Sequence, residues 1–186
     1  GGDLYVGSIT IMQSVLQLFS APLTGFTQGV QPIISYNYGA GNFARTKKIC
    51  LSMIGVSFTI SFLANMTAMV VPEFYASLFS NDPELIALVG KVMPIFLFGM
   101  LFFGLQNGIQ PSFLSLGQAG ISLFIAMFRK VILLVPLALI LPRFFGVMGI
   151  YYAEPVSDII SAATATLLFA LNINRILSKE YLERIR

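Results

Sequence analysis

Three groups of polar side chains interrupt an otherwise apolar sequence. Gln28, Gln31, Tyr36 and Asn37 form the first, Gln106, Asn107 and Gln110 the second, and Glu154 with Asp158 the third. An amide or carboxylate placed in hydrocarbon without a partner is costly, so such residues must face water, a cavity or another helix. The first group fits a polar cavity wall beside a helix break. It fits equally a turn at the membrane surface, with Asn and Gly serving backbone needs and Tyr the headgroup layer. Gln106 and Gln110 are four apart and share a helix face, where they could line a pathway or bond a neighbouring helix. Glu154 and Asp158 are also four apart. Acids inside membrane helices are candidate ion or proton relays. Glu154 is expected at the outer surface, and Asp158, one turn deeper, is the candidate ion or proton residue.

Other chemistry is excluded by what the chain lacks. There is no His and a single Cys, Cys50. Disulfides within the chain, zinc or iron sites and Ser-His-Asp or Cys-His nucleophiles are therefore not expected, and neither is an enzyme. Cys50 reads as a small buried apolar residue. Gly39-Ala40-Gly41 lacks the Gly-Lys-Ser/Thr continuation of a phosphate loop. No cofactor, no metal and no nucleic-acid partner are expected.

The elements that must hold these groups are membrane helices. Mean hydropathy is +0.84 and only 10% of residues are charged, against about a quarter in soluble domains. The expected fold is all-α and integral to the membrane, with the lipid bilayer as its first partner. A span needs about 20 apolar residues, and five can be drawn: 4–36, 48–71, 85–114, 121–145 and 152–172. Pro22 should kink the first, and Pro32 should break it before the Gly39–Gly41 turn, which makes Pro32, Gly39 and Gly41 hinge candidates. In the second span Ser52, Ser57, Ser61 and Ala64 recur at helical spacing and would let a neighbour approach. Ser80 or Asn81 is expected to cap the third. Residues 173–186 alternate Ile173, Ile176, Leu177, Leu182 and Ile185 with basic residues, as an amphipathic helix lying on an anionic leaflet would.

Lys and Arg mark the cytoplasmic side. Five alternating spans gather Arg45, Lys47, Lys48, Arg129, Lys130, Arg175, Lys179, Arg184 and Arg186 on one side, nine of the eleven cations. The N-terminus is then outside and the C-terminus cytoplasmic. Gly1-Gly2-Asp3 carries neither an initiator Met nor a basic leader, and a start on the outer side needs an earlier span. A longer chain is the expectation.

The stretch from Gly29 to Asn42, Gly-Val-Gln-Pro-Ile-Ile-Ser-Tyr-Asn-Tyr-Gly-Ala-Gly-Asn, followed by Arg45 and Lys47, resembles the second-half signature of the multidrug and toxic compound extrusion (MATE) transporters, in their bacterial multidrug efflux branch. Pro94, Gln106-Asn107, Gly117, Arg129, Pro136, Gly146, Gly149, Pro155 and Asp158 follow in the family's order. The resemblance implies twelve helices in two lobes. Residues 1–172 would be helices eight to twelve, a partial C-terminal lobe, with 173–186 as its cytoplasmic tail and an N-terminal lobe as the missing partner. It further implies a bacterial plasma-membrane antiporter exporting amphipathic, often cationic molecules in exchange for Na⁺ or H⁺ by alternating access. The pathway residues would be Gln28, Gln31, Tyr36, Asn37, Gln106, Asn107 and Gln110. Some members carry an acid on the tenth helix; residues 85–114 do not, which puts the coupling-ion site mostly outside this chain. The alternatives are a lipid-linked oligosaccharide flippase of the same superfold, which would want cations at mid-span, and a non-transporting membrane assembly subunit.

Overall fold

The computed structural model describes residues 2–186; Gly1, which opens the expected lobe, lies outside them. Nine α-helices and one π-helical segment follow each other with short connections, and no strand occurs among the described residues. They are α1 (Gly2–Gly39), α2 (Phe43–Val70), α3 (Pro72–Ser77), α4 (Pro83–Leu97), α5 (Met100–Ser115), α6 (Ala119–Met127), the π-segment (Phe128–Leu134), α7 (Val135–Phe145), α8 (Met148–Ile176) and α9 (Lys179–Ile185).

Four helices are long and apolar enough to cross a membrane: α1, α2, the continuous run Ala119–Phe145, and α8. The α4–α5 pair bends by 49° and makes a fifth crossing if it counts as one span. Five alternating crossings require the first and last to run the same way, and they do. Ser8 near the start of α1 meets Tyr151 near the start of α8 (Oγ–OH 2.7 Å). At the far ends, Tyr38 OH donates to the Ile176 carbonyl at 2.9 Å.

Several boundaries differ from the sequence reading. Pro32 does not break α1; both Pro22 and Pro32 lie inside it. Proline removes one donor, but flanking turns keep the helical path. The chain turns instead at Ala40–Asn42, where Gly41 takes φ +78°, a conformation costly for any residue with a Cβ. The third span is two helices, and α4 is capped by Asp82, which accepts from the Glu84 amide at 3.0 Å, in place of Ser80 or Asn81. The last span runs on to Ile176, so the tail helix is short. Leu182 of α9 is buried among Ile173, Ile176 and other core residues, so this tail docks on the protein instead of offering its apolar side to lipid.

Two apolar clusters fill the interior. One gathers Ile34, Tyr38, Cys50, Met53, Ile109, Phe113, Phe169 and Ile173, with Cys50 fully buried as expected. The other gathers Met12, Val15, Ala68, Val92, Met93, Phe96 and Tyr151. On α2, α5 and α8, buried polar residues fall between these two clusters. On α2 they are Ser57, Ser61 and Asn65, on α5 Gln106, and on α8 Glu154, Ser157, Asp158 and Ser161. The bundle therefore carries a polar belt at mid-depth between two apolar layers. In hydrocarbon such a belt is stabilised where it pairs across helices, and this one does so in part: Ser57 Oγ and Asn65 Oδ1 are buried without a protein partner. Ser61 Oγ donates to the Met100 carbonyl (3.2 Å) and Ser161 Oγ to Gln106 Oε1 (2.6 Å). Of the four small residues expected to admit a neighbour, Ser57 and Ser61 are buried; Ser52 is exposed and Ala64 half-buried.

Candidate functional site

Two polar centres occupy the belt. The first is a cleft of about 240 Å³ between α1, α5 and the start of α6. Thr24, Thr27, Gln28 and Gln31 line it from α1, and Gln106, Asn107 and Gln110 from α5, with Ser122 opposite. Every polar side chain lining it is an amide or a hydroxyl; among the described residues no charged side chain reaches it. Gln28 is exposed, Gln31, Asn107 and Gln110 are half-buried, and Gln106 is buried and held by Ser161. The Asn107 amide nitrogen is buried without a protein partner. A donor kept in that state is available to a ligand or water.

Five of the seven pathway residues expected from sequence thus converge. The other two do not. Asn37 is buried at the end of α1, where its side-chain amide donates to the Ile33 carbonyl at 2.8 Å and its own carbonyl accepts from the Asn42 amide at 2.9 Å. It closes the turn. Tyr36 is 75% exposed and lies outside the cleft. Of the hinge candidates, Gly39 ends α1, Gly41 makes the turn, and Pro32 stays helical.

The second centre was only half legible. Glu154 and Asp158 share a face of α8, as their spacing requires, but Glu154 is not at the outer surface. Both acids are buried around Arg129 of the π-segment. Arg129 Nη2 lies 3.1 Å from Glu154 Oε1 and 2.7 Å from Asp158 Oδ1, and Nε donates to the same Oδ1 at 2.8 Å. The guanidinium lies over the Phe103 ring, 4.3 Å from its centroid. Ser157 Oγ donates to the Arg129 carbonyl at 3.0 Å, which ties the π-segment to α8.

Arg129 and Lys130 were expected on the cytoplasmic side, at the membrane surface. They sit inside the continuous helix Ala119–Phe145, about 15 Å from its start at 1.5 Å per residue. The signal was present: from Leu123 to Val135 no Gly, Pro, Asn, Asp or Ser offers a turn. Removing these two leaves seven cations of the nine, and those seven remain clustered. Lys47 Nζ donates to Asn174 Oδ1 (2.9 Å), and Arg186 reaches the Gly39 carbonyl, so the α1–α2 turn and the end of α8 share one end of the bundle.

The 49° bend is fixed at the second centre. A Cβ on Gly99 would lie 2.5 Å from Pro155 Cα and 2.8 Å from Asp158 Cβ. Only glycine lets the joint between α4 and α5 sit against this turn of α8. At the joint, Phe98, Leu101 and Phe102 amides bond three residues back instead of four.

A bundle of membrane-crossing helices, one of them broken at mid-depth, with an uncharged polar cleft beside a buried ion cluster, has the form of a transporter domain. The comparisons agree. The family model described as MatE matches residues 2–140, and the chain belongs to that family. The multidrug export protein MepA of Staphylococcus haemolyticus (strain JCSC1435) is 25% identical over 94% of this chain, and MepA of Staphylococcus aureus (strain MSSA476) is 22% identical over 94%. Among solved structures, the MATE multidrug transporter DinF-BH, held in a ligand complex, is 30% identical with a TM-score of 0.83, covering 96% of this chain and 40% of its own. An outward-facing MATE family transporter of the MOP superfamily shares the fold at 18% identity and TM-score 0.86, covering 95% of this chain and 40% of its own. The chain spans 38% of the length of these MepA relatives.

Proposed function

We propose that this chain forms helices eight to twelve of a MATE-type multidrug exporter, with α4–α5 as the tenth helix, Ala119–Phe145 as the eleventh and α8 as the twelfth. The cleft between α1 and α5 is the observation that carries this reading. It is polar, uncharged and at mid-depth, with an unpartnered amide donor, and amide donors and acceptors without fixed charge suit a pathway for amphipathic cations that must also leave it. The basic end of the bundle supports a cytoplasmic C-terminus in a bacterial plasma membrane. Transport would be an exchange for Na⁺ or H⁺ by alternating access, with an N-terminal lobe completing the cavity. No catalysis is proposed.

A flippase for a pyrophosphate-linked lipid would present a free cation to its cavity. Of the two mid-span cations, Arg129 is occupied by two carboxylates and Lys130 does not line the cleft, which favours the exporter. The test uses the full-length protein in lipid vesicles with ethidium as probe. Dye should move against its gradient when a Na⁺ or H⁺ gradient is imposed; no movement under either gradient ends the reading.

A further inference from the structure

We propose that Glu154 and Asp158 hold one exchangeable proton between them, opposite Arg129. Two carboxylates and one guanidinium sum to −1 if all are ionised, and this cluster is buried between α8, α5 and the π-segment. Arg129 spends both of its bonds to Asp158 on a single oxygen, Oδ1, and its bond to Glu154 on Oε1. The remaining Asp158 oxygen, Oδ2, is buried with no hydrogen-bond partner. A bare carboxylate oxygen in that position keeps its charge without any donor to stabilise it, whereas a carboxyl O–H there is neutral. One proton on the pair makes the triad neutral.

The surroundings add little else. α5 contributes Met100 sulfur, 4.0 Å from the guanidinium, and the Phe103 ring, and it has no acidic or basic residue. α4 carries Glu84 and Lys91, both before the joint. α6 has no charged residue, and α7 has only Arg143 in its last turn. On α9, Lys179, Glu180, Glu183 and Arg184 lie beyond the far end of α8. Lys130, next to Arg129 in the chain, is exposed and forms no ion pair among the described residues. Metal ions are a poor fit. Hard cations take about six or more oxygens, and no metal-holding group of three or more His, Cys, Asp or Glu side chains occurs among the described residues.

The site deepens the transport reading and rests on it for its role, because a proton is one of the two ions such an exporter would exchange. Its test needs no transport. Infrared spectra of the purified full-length protein in detergent, titrated in D₂O, report the C=O stretch of protonated carboxyls. The wild type should keep a band worth one carboxyl per chain at a pH where exposed acids are ionised. That band should be lost or moved in Asp158→Asn and in Glu154→Gln; loss in one variant alone places the proton on that residue. If either variant does not fold, Asp158→Glu and Glu154→Asp keep the charge and should shift the midpoint of the band. No such band in the wild type, or a band unchanged in every folded variant, overturns the proposal. A full-length protein with this band that moves no ethidium would keep the proton site and remove only the exporter.

Discussion

The cleft and the triad lie at the same depth of one bundle and solve opposite problems. The cleft is lined by neutral amides, partly open, with a donor left unpaired at Asn107. The triad is charged, closed and paired, with an acceptor left unpaired at Asp158. Amides hold a passing ligand weakly and cost little when empty, so they can stay exposed to a cavity. Charges must be neutralised locally or excluded, so they are packed away beneath an aromatic ring. The difference separates an open, amide-lined surface from a closed ion cluster, and Gln106 links them: it faces the cleft while Ser161, one turn beyond Asp158 on α8, holds its oxygen.

The contrast breaks most sharply at Arg129. Arg129→Ala would leave the buried acid pair without its counter-charge and should cost about 3–5 kcal/mol, read as a lowered thermal unfolding temperature in detergent. If the loss is no larger than that of a cleft variant, the triad does not hold the bundle together. Gly99→Ala comes next. Its Cβ would meet the backbone of Pro155, and an overpacked joint should cost about 1–3 kcal/mol by the same measurement. Gln106→Ala strands the Ser161 hydroxyl, with an expected loss of about 1–3 kcal/mol, at the upper end of what a cleft residue should show. Gln28→Leu or Gln110→Leu should leave stability within about 0.5 kcal/mol while slowing ethidium transport by the full-length protein; unchanged transport in both would remove the cleft from the pathway. The last variant is read on another measurement: Asp158→Asn keeps the shape of the side chain. Its effect should fall on the pH profile of transport, flattening it, and an unaltered profile would leave Asp158 structural.

Span number, the Gly41 turn and the polar character of residues 28–31 and 106–110 were legible in the sequence, because a membrane helix must be apolar for about 20 residues and every exception must be satisfied. The i, i+4 spacing likewise put Glu154 and Asp158 on one face. Local sequence could not say what that face meets. Arg129 read as a membrane-surface residue because cations usually mark that surface. Only the packing of α8 against the π-segment shows that it is neutralised at mid-depth, since its partners are 25 and 29 residues away. Asn37 reads as lining from its type and closes a turn in the fold. Pro94 lies within the third span, but the joint falls at Phe98–Gly99, where Pro155 of α8 presses on a residue with no side chain. Composition and periodicity determined which residues had to leave the lipid. The tertiary structure decided which of them face an open cleft and which pair with a charge, because pairing depends on contacts between helices distant in sequence.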